Sequence, residues 1–213
     1  MYKYEHYMRS IVVFLILMSA ATLNALGQTD AKEADGSTPV ADTTQTITEY
    51  ERPDAAERRR RYIKSMVGPT SLAMTVAGAG YSTARNSPRE WGGTWEGFGK
   101  RVASSFGKKV IKNSTMYGLD EALKYDSKFY RSRDRSLSSR IGNALISPVT
   151  ARNKRGKRVI GLPRILGTYT SNVVAAETWY PSRYTYKDGL RSGTISLGMN
   201  AAFNLVKEFV RKK

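Results

Sequence analysis

Small residues recur at every fourth position in the segment GFGKRVASSFGKKV, residues 97–110. When this segment is wound as an α-helix at about 100° per residue, it divides into two faces. One face carries basic residues: Lys100, Arg101, Lys108, Lys109 and Lys112. The other carries a row of small residues: Gly99, Ala103 and Gly107. Because a glycine inside a helix costs about 1 kcal/mol relative to alanine, the row indicates close approach of another backbone. The sequence therefore predicts a packed helix with its cations facing outward.

A phosphate-binding loop is the alternative interpretation of this segment, and its spacing excludes both common signatures. The pattern G-x-x-x-x-G-K-[ST] fails because Thr94 stands five residues before Gly99 and Arg101 follows Lys100. The dinucleotide pattern G-x-G-x-x-G fails because Val102 occupies the place of the third glycine.

Proline and glycine divide the rest of the chain into segments of similar composition. We predict six helices, over residues 54–67, 70–84, 98–125, 137–149, 164–178 and 189–211. Rows of small residues recur in several of them, including Gly167, Ser171 and Ala175, and Gly198 with Ala202. Alternation typical of a strand is scarce, and residues 183–187 are the best candidate. The predicted fold is all-α, a single compact helical bundle with small-residue packing ridges.

Four asparagines are regularly spaced along this domain. Asn113, Asn143, Asn172 and Asn200 are separated by 30, 29 and 28 residues. Either a degenerate helical repeat or coincidence accounts for this spacing.

The N-terminus has the pattern of a secretory signal peptide. Lys3 and Arg9 precede an apolar run over residues 11–18, and small residues lead to Gly27. A membrane-spanning anchor would need about 20 apolar residues, and polar residues interrupt the run from Ser19 on. We expect a signal peptide over 1–27, a disordered acidic leader over 28–57 and a basic helical domain over 58–213. Export to the periplasm or outer envelope follows as an expectation, with no transmembrane helix after the signal is removed.

The chain holds no cysteine and a single histidine, His6, within the predicted signal peptide. A thiol nucleophile, a Ser-His-Asp triad and a His/Cys zinc site are therefore excluded from the expected mature chain. We expect no metal and no cofactor.

The helical domain is strongly basic, with 31 Lys and Arg residues against 9 Asp and Glu residues from position 58 on. We expect it to be non-enzymatic and to bind anionic envelope components, namely anionic lipid, lipopolysaccharide or cell-wall polymer. Nucleic acid outside the cytoplasm is an alternative partner, and a merely solvated basic surface is another. The anion-binding candidates are Lys100, Arg101, Lys108, Lys109, Lys112, Arg131, Arg133, Arg135, Arg155 and Arg158.

Three carboxylates, Asp120, Glu121 and Asp126, are the densest acidic group in the domain. They suggest a second function, a carboxylate-dependent cell-wall glycan hydrolase or transferase. Neighbours on a helix point about 100° apart, however, so Asp120 and Glu121 are not expected to converge. We favour ion pairing for these residues and predict no catalytic residue.

Four motifs lie in order along the domain: WEGFGKR at 95–101, ALKYDSKFYRS at 122–132, SN at 171–172 and WYP at 179–181. This set resembles the motifs of a group of uncharacterised exported bacterial proteins with no known activity. The resemblance covers about residues 65–210 and implies an exported helical domain. It also implies that relatives carry histidine where this chain has Asn143.

Overall fold

The computed structural model describes residues 50–134 and 136–210. Residue 135 and the first 49 residues lie outside that range, so the expected signal peptide and most of the expected acidic leader are not described. The described residues from Arg52 on belong to one compact unit. This unit begins six residues before the predicted boundary at residue 58. The Arg52 guanidinium donates to the Asp120 carbonyl at 3.1 Å and to the Tyr125 carbonyl at 3.3 Å.

Six α-helices form the described part of the domain, which confirms the predicted all-α class. They are α1 (Ala55–Val67), α2 (Pro69–Ala84), α3 (Trp95–Leu123), α4 (Leu137–Ile146), α5 (Leu162–Thr178) and α6 (Tyr186–Phe209). Among the described residues, α3 packs against α5 and α5 against α6, while α1 and α2 pack on α3 and α4 packs on α6. None of the described helices is both long and apolar enough to cross a membrane.

Local side chains fix where several helices begin. The Asp54 carboxylate accepts the Glu57 amide at 2.6 Å before α1, and the Thr94 hydroxyl accepts the Gly97 amide before α3. A reciprocal capping box between Thr185 and Asp188 starts α6. Residues 183–187, the best strand candidate in the sequence, therefore do not form a strand, because they lead into this cap and the first turn of the helix.

Two short strands follow α4 and were not predicted. A 3-10 turn, Ser147–Val149, ends the segment predicted as helix to residue 149. Strands β1 (Thr150–Arg152) and β2 (Arg158–Ile160) then pair antiparallel in the register Ala151 to Val159. The basic block at residues 154–158 forms the connection between them and the start of β2.

The row of small residues predicted on α3 is not the packed face. Gly99 and Ala103 are exposed. Of this row, Gly107 alone packs against another part of the domain: a Cβ at position 107 would lie 3.6 Å from the Trp179 ring. Close backbone approach occurs at Gly167 and Gly189 instead. A Cβ at Gly167 would lie 2.6 Å from the Lys112 carbonyl oxygen, and a Cβ at Gly189 would lie 2.6 Å from Val173 Cα.

The predicted rows on the other helices divide in the same way. On α5 the row is buried as predicted, with Gly167, Ser171 and Ala175 in the interior. On α6 the prediction is wrong, because Gly198 and Ala202 are exposed. Small residues do mediate helix contacts in this domain, but a single helix sequence did not identify which ones.

The interior of the described domain is unusually polar. Its buried hydrophobic side chains are all alanines: Ala79, Ala144, Ala151, Ala175 and Ala176. The largest fully buried side chains include Thr168, Ser127 and Ser171. Soluble domains ordinarily bury leucine, isoleucine and phenylalanine, so hydrogen bonding and close backbone contact carry more of the packing here.

Candidate functional site

A cavity of about 1020 Å³ lies between α1, α2, α3, α5 and α6. Its lining contains nine basic side chains: Arg58, Arg61, Lys64, Lys108, Lys109, Lys112, Lys128, Arg164 and Lys207. It contains three carboxylates: Asp120, Glu121 and Asp126. Cations outnumber carboxylates threefold, so the cavity attracts anions.

Lys112 on α3 places an ammonium in this cavity that has no hydrogen-bond or ion-pair partner among the described residues. Burial, together with a smaller effect of the positive charge of Arg164, lowers the pKa of Lys112 to about 8. A partly desolvated cation without a counter-ion is costly. An anionic ligand bound beside it would remove that cost.

Arg164 at the start of α5 is the second cation of this group. One of its terminal nitrogens donates to the Ser147 carbonyl at 2.6 Å. Burial lowers the pKa of the Arg164 guanidinium, while the negative charges of Asp120 and Asp126 oppose that shift. Thr168, one turn further along α5, is fully buried and lines the same cavity. Its hydroxyl has no hydrogen-bond partner among the described residues.

Lys108 and Lys109 also line the cavity, but their ammonium groups have partners. Lys109 donates to the carbonyl oxygen of Ser71 at 2.7 Å, to its hydroxyl at 2.8 Å, and to the Thr75 hydroxyl. Burial lowers the pKa of Lys109. Lys108 donates to the Tyr180 hydroxyl at 2.9 Å. These lysines hold α2 and the end of α5 against α3, and they add to the positive potential.

Asp120 faces the cavity and differs from an ordinary surface carboxylate. It accepts hydrogen bonds from the Ser127 hydroxyl at 2.8 Å and from the Ser127 amide at 3.4 Å. Burial raises the pKa of Asp120 to about 6 in spite of these two hydrogen bonds. Asp126, whose negative charge adds to the rise, accepts the Tyr130 hydroxyl at 2.6 Å and pairs with Arg61 at 3.7 Å.

Glu121 lines the same cavity and is neutralised by arginines. Arg58 binds it in bidentate fashion, at 2.5 Å from Nε and 2.8 Å from a terminal nitrogen. Arg52 adds a contact at 3.4 Å. Burial alone would raise the pKa of Glu121, but the hydrogen bonds and charge of Arg58, joined by Arg52, hold it below the ordinary value. Glu121 therefore ties the start of α1 to the end of α3.

The structure separates the ten predicted anion-binding residues into groups. Lys108, Lys109 and Lys112 line the cavity. Five others are exposed outside the cavity lining: Lys100, Arg131, Arg133, Arg155 and Arg158. Of these, Lys100 pairs with Glu96 at 2.6 Å and Arg158 donates to the Asn143 side chain at 2.5 Å. Arg135 lies outside the described residues.

Arg101 corrects the prediction that the cations of α3 face outward. It is 2% exposed, and its guanidinium donates to the backbone carbonyls of Ser87, Gly92 and Pro88 at 2.7–2.8 Å. Its role is to hold the loop between α2 and α3. The cationic face of α3 turns inward because carbonyls, hydroxyls and the cavity replace water around it.

Arg164 and Thr168 were not among the predicted site residues. The regular spacing of the asparagines was the sequence feature that indicated this cavity, because Asn113, Asn172 and Asn200 all line it. Asn143 is the exception: it donates to the Tyr130 carbonyl at 2.9 Å and to Glu208 at 3.4 Å. The spacing therefore marks a polar interior surface at three of its four positions.

Comparison with known proteins adds no further identification: no family model, no curated protein and no solved structure matches the chain. The resemblance to exported bacterial proteins stays a prediction. Among residues 50–134 and 136–210, no group of three or more acidic, histidine or cysteine side chains could hold a metal ion.

Proposed function

We propose that this chain is an exported, non-enzymatic protein of the bacterial envelope that binds an oxyanion-bearing component of that envelope in its interior cavity. The ligand class is a phosphate or carboxylate group carried by a lipid, a lipopolysaccharide or a cell-wall polymer. The observation that carries the proposal is that the unpartnered Lys112 ammonium, Arg164 and the buried, unpartnered hydroxyl of Thr168 line one cavity.

These three groups have the complementary chemistry for one oxyanion. A lysine ammonium offers three donors, a guanidinium offers several donors in a plane, and a threonine hydroxyl offers one. Hydrogen bonds between such cations and an oxyanion are shorter and stronger than neutral ones. Binding would also return the pKa of Lys112 towards its ordinary value, because a negative charge favours the ammonium form.

The exposed basic residues support association with the same surroundings. Arg155 and Arg158 lie on the β-hairpin, and Arg131 and Arg133 lie on the loop that follows α3. Basic residues near an anionic surface contribute about 1 kcal/mol each at low screening. In this proposal they bring the protein to the envelope, and the cavity takes the individual anionic group.

Inorganic phosphate is the probe for the first experiment, with thermal unfolding and titration calorimetry as readouts. We expect phosphate to raise the midpoint of unfolding of the full chain, and expect Lys112→Gln to abolish that rise. Lys100→Gln removes an exposed lysine of the same helix and serves as the matched control. Equal responses of the two variants would show a non-specific charge effect and would contradict the cavity as the site.

A second function is favoured by one observation, the raised pKa of Asp120 near Asp126. A carboxyl of raised pKa that lines one cavity with a second carboxylate, as Asp120 does with Asp126, is the kind of pair that glycoside hydrolysis uses. Turnover of cell-wall fragments by the wild-type chain, lost in Asp120→Asn and in Asp126→Asn, would replace the non-enzymatic proposal with this one.

A further inference from the structure

Polar and apolar side chains are distributed in the reverse of the usual order across this domain. The buried hydrophobic residues of the described chain are five alanines, while large hydrophobic side chains are exposed on all six helices. Examples are Val67 on α1, Leu145 on α4 and Leu166 on α5. In water each exposed side chain of this kind forgoes part of the stabilisation that burial of leucine or isoleucine provides.

The exposed surface of α2 carries no charge. Residues 65–84 form a run of 20 residues without Asp, Glu, Lys or Arg. Leu72 and Val76 are exposed one turn apart on this helix, Val76 at 49%, and Tyr81 near its end is 65% exposed. Neither Leu72 nor Val76 lines the cavity. Leu72 and Val76 therefore form an outer apolar stripe, and Tyr81 is exposed on another side of the helix.

The outer face of α6 has the same character. Residues 192–206 contain no charged side chain. Ile195 and Met199 are exposed at a spacing of four residues, with Gly198 exposed beside them, and they do not line the cavity. The polar residues of this segment, Asn200 and Asn204, line the cavity instead.

Basic residues flank both uncharged runs. Lys64 and Arg85 lie at the two ends of the run that contains α2, and both are exposed. Arg191 and Lys207 lie at the two ends of the run in α6, and both are exposed. Exposed cations at the ends of an apolar face pair favourably with anionic head groups while the apolar residues contact the acyl chains.

We propose that the outer face of α2 and the outer face of residues 192–206 are lipid-contact faces that insert into a bilayer containing anionic lipid. A second copy of the chain would cover one patch of each molecule. Exposed hydrophobic residues occur on every helix of the described domain. Contact with acyl chains can cover such residues on several helices, whereas one contact with a second copy covers a single patch. The apolar residues Leu72, Val76, Ile195 and Met199 do not line the cavity, so their contact with lipid does not depend on anion binding there.

The absence of cysteine from the chain allows a direct test with single labels. Val76→Cys and Ile195→Cys, each carrying a polarity-sensitive fluorophore, report on the two faces. Ile160→Cys on the β-hairpin is the matched control, because Ile160 is also exposed, at 68%. The full chain is mixed with phosphatidylcholine vesicles that contain about a quarter phosphatidylglycerol. We expect a blue shift at positions 76 and 195, no shift at 160, and retention on the vesicles in about 1 M salt.

Charge placed in the surface tests the same proposal without a label. Val76→Asp and Ile195→Asp are each expected to lower the ratio of vesicle-bound to free protein about tenfold or more, and Ile160→Asp is expected to leave it unchanged. Circular dichroism without vesicles verifies that each variant keeps its helices. Release of the wild type by salt would show that charge alone holds the protein. Dimerisation without lipid, together with no response to vesicles, would show that a second copy of the chain covers these faces. An equal fluorescence shift at position 160 would show that the lipid contact is not specific to α2 and α6. Each of these results overturns the proposal.

Discussion

Gly167 of α5 lies directly against the carbonyl of Lys112 on α3, so that a Cβ at position 167 would meet that oxygen at 2.6 Å. This contact brings the two central helices together at the level of the cavity cations. The absence of a side chain at 167 therefore sets both the packing of the domain and the position of Lys112.

Replacement of Gly167 by alanine is expected to destabilise the fold. Because the atom it would meet belongs to the backbone of α3, the helices must move apart, at a cost of about 1–3 kcal/mol in the free energy of unfolding. Denaturant titration measures the change. Gly198→Ala is the control, since a Cβ there meets nothing within 4 Å, and we expect it to stabilise α6 by about 0.5–1 kcal/mol. Equal effects of the two substitutions would argue against the helix contact.

Because of Lys112, the stability of the domain is expected to change with pH in the alkaline range. Its pKa is about 8 in the folded chain against 10.5 for an ordinary lysine, so the unfolded chain binds more protons between these values. The free energy of unfolding therefore rises as pH increases from about 8 to 10.5, by at most about 3 kcal/mol. Lys112→Met should remove that rise. Denaturant titrations of both proteins across the range measure it, and parallel curves would show that Lys112 is already neutralised.

Asp120 and Glu121 are adjacent and should respond to neutralisation with opposite signs. The pKa of Asp120 is about 6, above its ordinary 3.8, so the folded chain binds the extra proton and stability falls as pH rises between these values. Asp120→Asn is therefore expected to raise the free energy of unfolding at neutral pH, by about 2 kcal/mol. The pKa of Glu121 is lowered by Arg58 and Arg52, so Glu121→Gln should be destabilising. A loss of stability in both variants would contradict the assignment of Asp120.

Arg101 and Lys100 provide a similar pair of neighbours on α3. Arg101→Met removes the buried guanidinium that donates to three backbone carbonyls of the preceding loop, and we expect a loss of about 3–5 kcal/mol in the free energy of unfolding. Lys100→Met removes an exposed ion pair with Glu96, for which a change below about 1 kcal/mol is expected. Calorimetric unfolding of the two variants distinguishes these roles, and similar losses would refute the structural role of Arg101.

The fold class was predictable because helix boundaries depend on local chemistry. Proline and glycine marked the breaks, and all six helices occur near their predicted positions. The start of α6 was placed at Gly189 in error, because the capping box of Thr185 and Asp188 competes successfully with the glycine. The strands β1 and β2 were missed since three residues carry too little alternation to be recognised.

The orientation of the helices was less predictable than their positions. Helical periodicity separated the two faces of α3 correctly, but the interior was assigned to the small apolar face. In the structure Arg101 is buried and Ala103 is exposed. Which face is buried depends on what the partner helices offer, and here α2 and α5 offer hydroxyls and carbonyls. The asparagine spacing contained part of this information, and a prediction that gave it more weight would have located the cavity.

The five buried alanines have a thermodynamic consequence. Exposure of large apolar side chains on unfolding is what gives globular proteins a heat-capacity increment of about 12–15 cal/mol/K per residue. In the described part of this chain 24 large hydrophobic side chains are already exposed in the folded state. Its increment should fall below that range, so its free energy of unfolding should vary with temperature along a shallow, nearly straight line.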